Sequence, residues 1–99
     1  MTRARPWIAA HLSEAENRTR VILTEMEAQS LEDPQLMVAR ELFQRLGTLA
    51  VELFAIDPGP RAPDAVAADI LTLTHLCHGR LAPIRPMLDE ALRVAREPS

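Results

Sequence analysis

The sequence has no lysine, no tyrosine, one tryptophan, two phenylalanines, three glycines and a single cysteine. Each shortage excludes something. One cysteine, Cys77, rules out an intrachain disulfide and fits a reducing compartment, so the expected location is the cytoplasm. With so few aromatics, a core must be assembled from Leu, Ile, Val, Ala and Met, and no segment shows the β-branched alternation of a strand. Long hydrophobic runs are also missing. The apolar stretch Trp7–Ala10 is broken by His11 and Glu14, too short for a signal-peptide core, and nothing approaches the length that spans a bilayer. No membrane partner is therefore expected. Eleven basic residues, all Arg, are outweighed by fourteen acidic ones, for a net charge of −3. Nucleic-acid binding requires clustered positive charge, so it is not expected either. There is no glycine-rich phosphate loop, no pair of histidines one helical turn apart with an acidic partner, and no serine-centred elbow. The chain reads as non-catalytic, without a cofactor.

What is present is helical patterning within one domain, residues 1–99. All eight prolines fall outside the interiors of the strongest helical patterns. They divide the chain into four predicted helices, over about 6–29, 34–56, 63–78 and 84–97, and the expected fold is an all-α antiparallel bundle. The second helix carries the clearest pattern. Asp33 is a suitable cap and Pro34 a suitable first residue, because a first-turn N–H has no partner to lose. Leu36, Ala39, Phe43, Leu46, Ala50 and Leu53 then recur at spacings of three and four, and Leu42, Leu49 and Ile56 widen the stripe. Polar groups keep only Glu41, Arg45, Thr48 and Glu52, which predicts a core helix covered on most sides. Gly47 costs about 1 kcal/mol in mid-helix relative to Ala, and this predicts a close crossing by another helix.

In the first helix, Ile8, Leu12, Ala15, Ile22 and Met26 share a face, broadened by Val21 and Leu23. Ser13-Glu14-Ala15-Glu16 also reads as a capping box, which would detach residues 6–12 as an arm; continuity is the favoured reading. A short connection joins it to the second helix as an antiparallel hairpin, and Glu25, Glu27, Glu32 and Asp33 form an acidic patch there. The third helix should bury Val66, Ile70, Leu73 and Cys77, with Ala67, Leu71 and Thr74 beside them, and close on Gly79 as a left-handed cap. The fourth begins between Pro83 and Pro86 and buries Ile84, Leu88, Ala91 and Ala95.

Reactive side chains concentrate in Thr74-His75-Leu76-Cys77-His78-Gly79. Residues two apart on a helix point about 200° apart, so His75 and Cys77 cannot share a metal unless the helix ends early, whereas His75 and His78 could. The blander reading makes Cys77 a small core residue, His78 a favourable charge at a helix C-terminus and His75 a solvated residue, and it is preferred, so no metal is expected. The order His75, His78, Gly79 resembles the phosphoacceptor helix of histidine phosphotransfer domains, where Lys and Gly follow the His three and four residues later. That resemblance implies an acidic helical bundle with His75 as phosphoacceptor. Here Cys77 replaces the usual Leu, His78 replaces the Lys, and Pro83 and Pro86 stop a helix that continues in that family. A second resemblance covers residues 69–89: Leu73-Thr74, Gly79, Leu81, Ile84, Pro86, Leu88 and Asp89 look like an uncharacterised family of small helical actinobacterial proteins, some associated with natural-product biosynthesis. It implies an accessory helical protein and supplies no catalytic residue.

The functional expectation is an interaction or regulatory module with a protein partner, a second copy of itself included. Met37, Val38, Val51 and Phe54 lie beyond the main stripe of the second helix and are the expected contact residues, with Trp7 as an anchor or a lid over one end of the core. The alternative is a phosphotransfer-like or metal-binding bundle using His75 and His78. A third reading, a ligand cavity lined by Met26, Met37 and Met87, has only the adaptability of methionine to support it.

Overall fold

A computed structural model describes residues 4–29, 34–54 and 63–97. Four α-helices and one 3₁₀ segment account for nearly all of them: α1 Ala4–Ala28, α2 Pro34–Phe54, α3 Pro63–Thr74, the 3₁₀ segment Gly79–Ile84, and α4 Arg85–Arg96. The bundle is antiparallel, as the cross-links between elements show: Arg40 reaches Glu27 at 3.0 Å, and Gln35 reaches His78 forty-three residues away. Residues 6–12 belong to α1, so the Ser13 capping box is not used. Pro34 opens α2, while Asp33 and Ile56 lie outside the described residues.

Packing follows a ring. α1 lies against α2 and α4, α4 lies against α3, and α2 and α3 meet only sparsely, leaving an open seam. This reverses one expectation. α1, not α2, holds the central place, and it does so with small residues: Ala9, Ala15 and Thr19 are fully buried beside Ile8, Leu12 and Met26. Thr19 tolerates burial because its hydroxyl donates to the Ala15 carbonyl at 2.7 Å, which satisfies the polar group inside its own helix. Val21, expected on the inner face, is 50% exposed. α2 buries Ala39, Leu42, Leu46, Leu49, Ala50 and Leu53 on one side only and presents Met37, Arg40, Glu41, Gln44, Arg45, Thr48, Val51 and Glu52 to solvent. It is an edge helix.

No backbone of another helix reaches Gly47, but the Glu16 carboxylate lies over it. A side chain there would meet only the Glu16 carboxylate from α1, the free end of a flexible side chain. Gly47→Ala should therefore displace that carboxylate and recover helix propensity, raising stability by up to about 1 kcal/mol. Chemical denaturation would check this, and a loss of stability would mean that the Glu16 carboxylate is fixed in place.

α3 ends at Thr74, four residues earlier than the expected limit of 78, for a local reason. The Thr74 hydroxyl donates to the Leu71 carbonyl at 2.6 Å, the acceptor that an α-helix would assign to the His75 N–H. That N–H turns instead to Thr72 O at 3.2 Å, and the Cys77 N–H to Thr74 O at 3.1 Å while its Sγ takes the Leu73 carbonyl at 3.5 Å. The winding tightens and stops. Gly79 is left-handed, with φ +57°, as expected of a glycine there, but it launches the 3₁₀ segment instead of closing α3 directly. Pro83 sits inside that segment and Pro86 in the first turn of α4, where neither removes a needed donor. Leu81, Ile84, Leu88, Ala91, Leu92 and Ala95 are buried behind them. On the wet side of α4, Arg93 engages both Glu90 and Glu97, and its hydrogen bond holds the Glu90 carboxyl below the usual range, while Asp89 faces Arg85.

Candidate functional site

Two regions bear on function: the turn after α3 and the outer face of α2. In the turn, His75 and His78 are exposed and Cys77 is 3% exposed. The helix does end early, yet Cys77 points into the core while His75 points into solvent, so the three are not gathered. Among the described residues, no group of three or more His, Cys, Asp or Glu side chains stands close enough to hold a metal ion. His75 stands in the turn beyond the last residue of α3, not on a helix face.

His78 is engaged by α2. The Gln35 amide nitrogen donates to the His78 carbonyl at 2.6 Å and lies 3.3 Å from His78 Nδ1, while the Gln35 carbonyl oxygen accepts from the Arg80 N–H at 3.1 Å. Two backbone groups of opposite polarity thus fix which way round the amide lies. Its other N–H faces Nδ1, which accepts in the tautomer with its proton on Nε2. Arg80 reaches back to the Gln29 side chain at 3.0 Å. The turn is a clasp that ties the α3–α4 hairpin to the start of α2, and it offers a structural explanation for Gly79 and His78.

Burial pushes the Cys77 thiol up to about 11 from an ordinary 9.0; nearby Arg85 acts against this and Asp89 with it. A protonated, buried thiol is a poor nucleophile. Because the folded-state value lies above the unfolded one, its contribution to stability is complete below pH 9 and is lost as the pH rises through about 11. The loss should reach about 2–3 kcal/mol at most, since each unit is worth about 1.4 kcal/mol. Urea denaturation at pH 8 and pH 11 would measure it, with Cys77→Ala as the reference that lacks this slope. Iodoacetamide at pH 8 should modify the native chain no faster than it opens.

The outer face of α2 carries Met37, 75% exposed, and Val51, 71% exposed. Of the other expected contact residues, Val38 is half-buried and packs on the core, and the side chain of Phe54 is outside the described residues. Trp7, 40% exposed, stacks on His11 with ring centroids 3.7 Å apart, and the His11 Nδ1–H donates to the Trp7 carbonyl at 3.1 Å. Met26 is buried, Met37 exposed and Met87 half-buried, so the methionines do not line one cavity.

Two hollows flank the α2 face. A shallow groove of about 650 Å³ on the α1 side is lined by Glu16, Phe43, Gln44, Gly47, Thr48, Val51 and Glu52. The seam on the α3 side holds a cleft of about 320 Å³ floored by Leu49 and Leu73 and rimmed by Arg45 and Asp69. Arg45 is already paired with Glu41 at 2.9 Å, and the Thr48 and Thr72 hydroxyls spend their protons on carbonyls of their own helices at 3.0 Å. Arg45, Thr48 and Thr72 at the cleft thus already have partners. Gln44, which touches both hollows, was missed in the sequence; its seven-residue spacing from Met37 and Val51 is the signal that identifies it.

The class so defined is a small all-α four-helix protein, and among the described residues no helix is long and apolar enough to cross a membrane. Comparison with protein-family models, with curated proteins and with solved structures gave no match to this chain.

Proposed function

We propose that this chain is a non-catalytic helical interaction module whose docking surface is the outer face of α2. The observation that carries the reading is the exposure of Met37 and Val51 on one line of an edge helix, bordered by a groove to which Phe43 and Gly47 contribute. Large apolar side chains aligned on one face beside a concave strip are what a partner helix requires. Burial and protonation of Cys77, the strongest nucleophile in the chain, support a non-catalytic role. The resemblance of residues 69–89 to accessory helical proteins points the same way.

A photo-reactive benzoylphenylalanine placed at Val51, and in a separate variant at exposed Ala82, tests the reading in cells and on the purified chain. Discrete adducts from Val51 and none from Ala82 are expected. No adducts at Val51, or equal labelling at both sites, would overturn the proposal.

A further inference from the structure

The groove beside the outer face of α2 holds a negative charge that no described residue neutralises. Glu16 of α1 has Arg20 one turn further along its own helix, the orientation in which a surface ion pair forms most readily. Among the described residues that pair is not made, and Glu16 takes part in no hydrogen bond or ion pair. Its partly buried carboxylate crosses instead to α2 and lies over Gly47, where a β-carbon would collide with Oε2 and would meet nothing else of α1 within 4 Å. Glycine is the least favourable residue in mid-helix apart from proline, and its one effect on the neighbouring helix is to leave that carboxylate room. The groove of about 650 Å³ in which the carboxylate sits is lined also by Phe43, Val51 and Glu52, and none of its described lining residues is basic. The two arginines of α2 are already engaged, Arg40 by Glu27 at 3.0 Å and Arg45 by Glu41 at 2.9 Å. We infer that the partner received on this face is a basic amphipathic helix, with a lysine or arginine whose head pairs with Glu16. This rests on the outer face of α2 being the docking surface and adds the chemistry of what docks there.

Any partner that covers the groove removes Glu16 from water. A neutral or acidic surface would leave the carboxylate desolvated without a counter-charge, which is unfavourable, whereas a cation supplies one. Lysine and arginine suit the lining as well as the charge, because their aliphatic stems cover apolar groups while the head reaches a polar one. Phe43 and Val51 supply the apolar surface and Glu16 the polar end. The hollow is too shallow to enclose a small molecule, and a shallow groove beside one helix of an antiparallel pair is the shape that a further helix fills. Position 47 therefore sets stability against docking. Alanine there strengthens the helix and expels the carboxylate that draws the partner.

The test uses the full chain and two fluorescein-labelled amphipathic peptides on the same leucine and alanine pattern, one with lysine and one with glutamate at every polar position, followed by fluorescence anisotropy. The lysine peptide should bind and the glutamate peptide should not. Glu16→Gln should weaken binding of the lysine peptide about tenfold, the worth of one charge-assisted hydrogen bond. Gly47→Ala, which displaces the same carboxylate, should weaken it to the same extent while melting no lower than the unsubstituted chain, and the double variant should bind no worse than either single one. Glu14→Gln removes an exposed carboxylate that does not line the groove and should leave affinity within about twofold. Equal weakening by Glu14→Gln and Glu16→Gln would show that only net charge is felt and would overturn the site. Equal binding of the two peptides, or no binding of the lysine peptide at about a hundred micromolar chain, would overturn it as well. Photo-cross-linking separates this outcome from failure of the docking face: adducts from Val51 that persist at full yield in a Glu16→Gln background keep the face and reject a basic partner.

Discussion

Gly79→Ala is expected to lower the stability of the chain by about 2–3 kcal/mol, which for a domain of this size lowers the melting temperature by roughly 10–20 °C. Two costs combine. At φ +57° any side chain strains the backbone, by about 1–2 kcal/mol for alanine. The added carbon would also lie 2.5 to 2.8 Å from three atoms of the Gln35 amide, which must leave and release the His78 carbonyl and the Arg80 N–H. These two costs are separable. Gln35→Ala alone should lose about 1 kcal/mol, the bonds being exposed, and the double variant should lose less than the sum of the singles because the collision is gone. Strict additivity would show that Gln35 does not bear on Gly79. No loss from Gly79→Ala would show that the left-handed turn is absent in solution.

Leu81→Ala and Ile84→Ala should each cost about 2–5 kcal/mol, as much as a core truncation in α1 or α2, although both lie in a six-residue connector. Both side chains are fully buried where the 3₁₀ segment packs against α1, so truncation leaves a cavity that the short, proline-containing segment cannot collapse to fill. Leu71→Ala, 37% exposed on α3, is the comparison and should cost well under half as much. Denaturant midpoints would rank the three. If Leu81→Ala were no worse than Leu71→Ala, the connector would be a linker and not part of the core.

These positions show what the sequence discloses and what it conceals. Helix number, order and antiparallel sense follow from prolines and apolar periodicity, and Leu88, Ala91 and Ala95 are legible as inner residues of α4 because Pro83 and Pro86 leave one place for its start; Leu92, also buried, is not, and Ile84 is buried in the 3₁₀ segment instead. The end of α3 was not legible. It depends on a hydroxyl competing with a backbone N–H for one carbonyl, and Thr74 looks no different in sequence from Thr72, whose hydroxyl bonds back without ending the helix. The need for glycine at position 79 was visible, but its partner Gln35 was not, because no local pattern links residues more than forty apart. The place of α2 was misread for a similar reason. A broad apolar stripe says that one side is buried, while whether the other side is covered depends on which helix becomes central, and that was settled by the small residues Ala9, Ala15 and Thr19 of α1. Of the candidate site, Met37 and Val51 were legible as apolar residues off the main stripe. Val38 was not separable from them, since it borders the buried arc.

The open seam between α2 and α3 has a kinetic consequence. The close packing is between α1 and α2, between α3 and α4, and between α4 with its 3₁₀ segment and α1. The first two pairings join neighbours in the chain, so their loop-closure entropy is small and each hairpin can form early. Only the seating of the C-terminal hairpin on the α1–α2 hairpin, against α1 and through the Gln35 clasp to His78 and Arg80, closes a long stretch of chain, and because α2 and α3 add little, these contacts form in one docking event. Folding thus reduces to one long-range event, with the α1–α2 hairpin as the surface on which it occurs.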